Sequence, residues 1–223
     1  MSSREAVMKD RRPVLTIIAL LVTLGCAGLL LSKVQSEFAG PGHFAAYEII
    51  WWALVALLLC YVRWVERQPL SSIGFRRPGI GNILIGIAAG VVVFAGLAGI
   101  YLVLLPALHF KEDRQVTEVM SLMLAKPLWW RLTLILRGTI VEEIIFRGYA
   151  IERLRELTGC FSIAGIISCT VFALEHLGVW SWGHVIIAGF AGVILTLLYI
   201  WRRNLWVNTI AHFVPDAIGL LLG

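Results

Sequence analysis

Charge is what this sequence has least of: 15% of its 223 residues are Asp, Glu, Lys or Arg, against 59% hydrophobic. A soluble domain must cover itself with polar groups, so a mean hydropathy of +0.86 excludes an ordinary water-facing fold. Cysteine is scarce as well. Cys26, Cys60, Cys160 and Cys169 all lie in apolar runs with no close-spaced Cys/Cys or Cys/His pattern. That excludes a disulfide framework and a structural zinc site, and leaves them as small packing residues. The His-Glu-x-x-His helix of the familiar zinc peptidases is missing, as are internal repeats and any long polar stretch that would form a separate domain.

What fills the chain is a succession of apolar runs, each about the 18–25 residues that a hydrocarbon core requires. They fall at 13–32, 44–62, 80–106, 128–150, 160–178, 184–201 and 205–222. The expectation is an all-α, polytopic bundle of about seven spans forming one membrane-embedded domain over residues 1–223.

The charges that remain are unevenly placed. Arg4, Lys9, Arg11 and Arg12 precede the first run, and Arg63, Arg67, Arg76 and Arg77 follow the second. Arg153 and Arg155 follow the fourth, and Arg202 and Arg203 the sixth. The alternate loops carry only Lys33, then Lys111, Arg114 and Lys126. The positive-inside bias predicts a cytoplasmic N-terminus and an outer C-terminus, and it accounts for the net charge of +5 without nucleic acid. The first run follows a basic leader, as a signal peptide would, but Val14 to Leu31 is longer than an ordinary signal core. A retained helix is expected. Short loops and the lack of eukaryotic targeting signals suggest a bacterial cytoplasmic membrane. Most of Trp51, Trp52, Trp129, Trp130, Trp180, Trp182, Trp201 and Trp206 are expected near span ends, as an aromatic belt.

Against this background three polar stretches stand out, because a charge at mid-bilayer costs about 2.5–3.5 kcal/mol on insertion scales. The fourth run carries Glu142, Glu143 and Arg147, the fifth ends Phe172-Ala173-Leu174-Glu175-His176, and the seventh holds Asn208, His212 and Asp216. Glu143 and Arg147 are four apart and share a helix face, suiting a structural ion pair. Glu142 is turned about 100° from Glu143, toward a different neighbour. His212 shares a face with Asn208 and Asp216. Thr158-Gly159 reads as a helix stop, and Glu142 and His176 are equidistant from Gly159, so a hairpin sets them level. Glu175 is expected to be an accessory or local hydrogen-bond partner. His43 and His184 are expected at span ends, and His109 in solvent.

These stretches resemble the signature of the CAAX protease and bacteriocin-processing family, the Abi or CPBP intramembrane peptidases: Glu-Glu-x-x-x-Arg, Phe-x-x-x-His, then His-x-x-x-Asn/Asp. The matches are Glu142-Glu143…Arg147, Phe172…His176 and His212…Asp216, in that order. Ile73-Gly74-Phe75-Arg76-Arg77-Pro78 also looks like the basic segment before that family's third helix. The resemblance runs from about residue 70 onward, and the first two spans match only as generic helices. It implies an intramembrane endopeptidase in which Glu142 activates water with help from His176. His212 and Asp216 would bind or stabilise the oxyanion, and Glu143 with Arg147 would brace the site. The family's prenyl-protein proteases usually carry Asn at the last position. Asp216 accepts only when ionised, and suits orienting His212 better than donating.

Two activators of water remain open. Members of the family are often called metalloproteases, and Glu142, His176 and His212 resemble a two-His-one-carboxylate set for zinc. A metal-free, glutamate-dependent mechanism fits the same residues and is the reading preferred here. The expected partners are membrane lipids and a peptide or membrane-protein substrate, lipidated or not. A proton-coupled transporter also buries Glu and His, but neither an inverted repeat nor a matched pair of broken helices is present. A non-catalytic immunity or regulatory binding protein has no need of the complete set.

Overall fold

A computed structural model describes residues 3–31, 33, 40–110, 114–178 and 182–222. Among the described residues there is no β-strand, and all seven predicted runs are helical. Among the described residues the longer helices are eight: α1 (Ser3–Leu31), α2 (Pro41–Cys60), α3 (Ile80–Gly99), α4 (Arg114–Leu124), α5 (residues 128–158), α6 (Phe161–Glu175), α7 (Trp182–Arg202) and α8 (Leu205–Ala217). Helix α5 is composite. It runs as an α-helix over Leu128–Glu142, widens to a π-helix over Glu143–Ile151, and returns to α over Glu152–Thr158. It stops where expected, at Gly159 in the left-handed region (φ 74°), whose N–H bonds to Arg155.

Four segments are long and apolar enough to cross a membrane: Pro13–Leu30, Pro41–Val65, Ile80–Ala107 and Trp182–Arg202. Phe161–Glu175 and Leu205–Leu221 are apolar but shorter. Helix α5 has the length, but its charges place it elsewhere. It packs against α1, α2, α6, α7 and α8, and from Val141 to Ile151 every residue except Glu142 is buried. A helix buried on all faces is a central post, with the more apolar helices around it.

Helix α8 is seated by α3. Gly86 and Gly90 form a Gly-x-x-x-Gly face, and a Cβ on Gly90 would meet Val214 Cβ at 2.6 Å and the Ala211 carbonyl at 2.9 Å. Small residues at this spacing let two helix backbones approach closely in a membrane. The start of α8 is fixed separately. Asn204 caps it by accepting from the Trp206 N–H at 3.1 Å. The Leu205 N–H bonds to the Gly74 carbonyl at 3.0 Å. Gly74 needs φ 89°, and a Cβ there would strike the Tyr199 hydroxyl at 2.8 Å.

A layer of ion pairs closes the end that carries the basic loops. Glu66 pairs with Arg153 (2.6 Å) and accepts from Tyr149 (3.1 Å), while Glu152 pairs with Arg203 (2.6 Å) and accepts from Tyr199 (3.1 Å). The layer ties the ends of α2, α5 and α7 together.

Two expectations need correction. Trp51 and Trp130 are buried, at 2% and 4% exposure, and belong to the packing rather than to a belt. Trp51 lies under the Arg137 guanidinium (5.7 Å) and Trp130 against Phe44 (4.6 Å). Trp52, Trp129, Trp182, Trp201 and Trp206 are exposed, whereas Trp180 and Lys111 lie outside the described residues. Helix α4, in a segment expected to be a loop, presents buried Val119 and Met123 to the packing around Trp130.

The seating of α8 is testable. Gly90→Leu should lower thermal stability in detergent by about 1–3 kcal/mol, the usual cost of overpacking. Gly25→Leu, at an α1 glycine with open space around it, should leave stability close to wild type.

Candidate active site

The three polar stretches converge. Glu143 is fully buried and accepts three hydrogen bonds from two helices. Its Oε1 accepts from Arg147 Nη1 (3.1 Å) and His212 Nδ1 (3.0 Å), and its Oε2 from Asn208 Nδ2 (3.2 Å). The first donor is one turn further along α5, and the other two come from α8. Asn208 Nδ2 also donates to the Leu195 carbonyl on α7 at 2.7 Å. A buried carboxylate is tolerated only when a counter-charge and donors surround it, and Glu143 has both.

Arg147, 1% exposed, continues the network into α6. Its guanidinium lies 4.2 Å over the Phe172 ring, a cation–π contact inside the protein. Phe172 in turn meets Phe146 and His176 edge-on, at 5.1 and 4.8 Å between centroids. The π-helix begins at Glu143, and such wide turns recur at functional sites because they re-aim side chains. Ser168 of α6 fastens the stretch by donating to the Phe146 carbonyl at 2.6 Å.

Beside this sealed network opens a cavity of about 290 Å³, lined by Glu142, His176, His184, His212 and Asp216 with apolar walls from α4, α5 and α8. Glu142 and His176 line it together, as the hairpin argument required. His176 Nδ1 lies 2.7 Å from the Phe172 carbonyl. A carbonyl only accepts, so Nδ1 carries the proton and Nε2 keeps its lone pair. His212 has Nδ1 bonded to Glu143, and its Nε2 faces Glu142 Oε2 at 3.9 Å and Asp216 Oδ2 at 3.7 Å. Both gaps are too long for hydrogen bonds and of a size that a water bridges.

All six sequence-derived residues, Glu142, Glu143, Arg147, His176, His212 and Asp216, therefore meet in one place. Three details differ from expectation. The partner that fixes His212 Nδ1 is Glu143, where Asp216 was expected to orient the ring. His184 lines the cavity rather than an interface, and its ring stacks on His176 with 5.9 Å between centroids. A lone His near a span end gave no signal for this, because its position depends on which face of α7 meets α6. Glu175 does not bond as expected. Its buried Oε2 has no hydrogen-bond partner among the described residues, and its side chain lies against Gly28 of α1. His43 and His109 are exposed.

The donors bear directly on the zinc alternative. Among the described residues no group of three or more His, Cys, Asp or Glu side chains is arranged to hold a metal ion. His212 Nδ1 and His176 Nδ1 are both bonded to protein acceptors, which leaves Nε2 of each ring as the atom that could meet a ligand. The set Glu142, His176 and His212 does not form a ligand cage as it stands.

A polytopic helical protein with a buried carboxylate–imidazole cluster beside a cavity has the parts of an intramembrane hydrolase. Residues 124–218 match the family model described as type II CAAX prenyl endopeptidase Rce1-like, a stretch that contains all six residues. Over that stretch, which is less than half of the chain, the protein is similar to the CAAX protease family. Neither the curated proteins nor the solved structures give a match.

The sealed and open carboxylates should respond differently to substitution. Glu143→Ala leaves Arg147 without its buried partner and should destabilise by about 3–5 kcal/mol. Glu142→Gln keeps the shape at the cavity wall and should cost about 1 kcal/mol or less. Thermal unfolding of the two purified variants in detergent checks the contrast.

Proposed function

We propose that the chain hydrolyses peptide bonds of membrane-associated proteins or peptides with a water activated by Glu142. One observation carries the assignment: of two adjacent glutamates, Glu143 is sealed and triply hydrogen-bonded, while Glu142 opens on the cavity between two imidazoles.

Amide hydrolysis needs a base for the water, a donor for the developing oxyanion and an acid for the leaving amine. Glu142 takes the water proton. The lone pair on His176 Nε2 helps hold that water, and the Nδ1–H bond to Phe172 keeps the ring in the required tautomer. His212 acts as an imidazolium, donating from Nε2 to the oxyanion while Glu143 accepts its Nδ1–H and balances its charge. Asp216 orients the Nε2 edge, a role its acceptor-only carboxylate suits. Glu142 then returns its proton to the leaving nitrogen. Arg147 and Asn208 hold Glu143 and do not touch substrate.

Helices α5, α6 and α8 bear the site in a bundle of about seven spans with the N-terminus cytoplasmic. The site lies toward the cytoplasmic leaflet of a bacterial membrane. The family description names prenyl endopeptidases, and Asp216 in place of the more usual Asn leaves room for substrates without a prenyl group.

Purified protein in lipid, offered a library of membrane-anchored peptides, tests the reading. Glu142→Gln should lower kcat/KM by about 10²–10⁴-fold, the range for loss of a general base. His212→Ala should lower kcat by about 10²–10³-fold with little change in KM, as loss of an oxyanion donor does. Full activity in Glu142→Gln would remove the proposed base.

A further inference from the structure

Helices α1 and α2 are antiparallel and pinned to each other near both ends. The Tyr61 hydroxyl donates to the Leu15 carbonyl (3.1 Å), and the Tyr47 hydroxyl donates to the Leu30 carbonyl (3.2 Å). Between the two pins the helices part, leaving a groove of about 430 Å³. Its walls are Ile18, Ala19, Val22 and Cys26 from α1, and Leu54 and Leu57 from α2. Both helices are among the four long and apolar enough to cross a membrane, so the groove opens onto hydrocarbon.

The groove has a polar mouth. At the Leu15–Tyr61 pin it meets a second cavity, of about 100 Å³, lined by Glu66, Gln68, Arg153 and Glu156. Leu15 and Tyr61 line both. In the mouth, the Arg153 guanidinium is already held by Glu66 (2.6 Å), Glu156 (3.0 Å) and Ser72 (3.1 Å), and it is buried. Two carboxylates thus surround one guanidinium, and Glu156, 46% exposed, is the group left facing outward. Among the described residues that line the mouth, two carboxylates face one guanidinium that is already committed.

The dimensions fit one kind of molecule. From Leu15 to Cys26 the groove descends about 16 Å along α1, at 1.5 Å per residue. Half of a hydrocarbon core of about 30 Å is one leaflet, nearly the same depth. An apolar slot one leaflet deep, with an acceptor-rich notch at the interface, has the shape and polarity of a lipid. We infer that this groove is a binding site for one glycerophospholipid with a primary-amine headgroup, its acyl chain between α1 and α2 and its ammonium at Glu156 and Glu66. A primary ammonium offers three N–H donors to those carboxylates. A quaternary ammonium offers none, and an anionic headgroup meets repulsion.

Native mass spectrometry of the delipidated full chain in detergent tests this, with synthetic phosphatidylethanolamine, phosphatidylcholine and phosphatidylglycerol of identical acyl chains. The expected result is a single retained phosphatidylethanolamine, preferred over the other two by about tenfold, or about 1.4 kcal/mol. Val22→Trp, at an exposed position on the groove wall, should abolish retention. Ala88→Trp, on the exposed face of α3, should not. Glu156→Gln, which removes the charge but keeps a carbonyl acceptor for Arg153, should erase the headgroup preference while leaving acyl-chain binding. Equal retention of the three lipids by wild type, or retention unchanged by Val22→Trp, overturns the proposal. So does displacement of the lipid by a lipidated substrate peptide, which would make the groove a substrate site. The readout is bound mass and requires no turnover, so it stands or falls separately from the peptidase mechanism.

Discussion

Everything at the centre of this protein depends on a single carboxylate that never meets solvent. Glu143 is fully buried and accepts from Arg147, His212 and Asn208, so one side chain fixes the register of α5 against α8 and the orientation of the imidazole between them. In a low-dielectric interior an unpaired charge is far more costly than a missed packing contact. That makes the network all-or-none. The donors can be satisfied only if both helices are seated, and α8 is seated only because Gly86 and Gly90 of α3 let it come close. A helix without reactive groups thus sets the distance between His212 and Glu142.

The same arrangement explains why two neighbouring glutamates part company. Successive residues on a helix point about 100° apart, and here one direction leads into protein and the other into a cavity. The first is sealed in a hydrogen-bond network, and the second lines the cavity wall. The aromatic stack of Phe146, Phe172 and His176 performs a comparable division on α6, packing one side of the imidazole while its Nδ1 is bonded to the backbone.

Much of this was legible in the sequence because a membrane protein writes its chemistry in contrast. Against apolar runs, Glu142, Glu143, Arg147, His176, His212 and Asp216 could not be surface decoration, and helical spacing alone paired Glu143 with Arg147. The helical segments were equally plain from length and hydropathy. What stayed hidden were features that depend on which helix faces which. The partner of His212 was sought on its own helix, at one-turn spacing, whereas Glu143 reaches it from another. His184 was placed by its distance from a span end, yet the fold turns that end toward the cavity. Trp51 and Trp130 look like belt residues in one dimension and are packed under Arg137 and Phe44 in three. Helix α4 escaped because its apolar residues occupy only one stripe. The π-helix at Glu143 has no sequence signal that periodicity could detect.

Helix α5 is continuous from Leu128 to Thr158, and along Val141–Ile151 its surroundings are other helices. A bilayer that thickens or thins acts first on the outer helices, which answer by tilting against a post they already enclose. The side chains that line the cavity are therefore carried by a helix braced on its neighbours, and a change of bilayer thickness would reach them as a change of leverage.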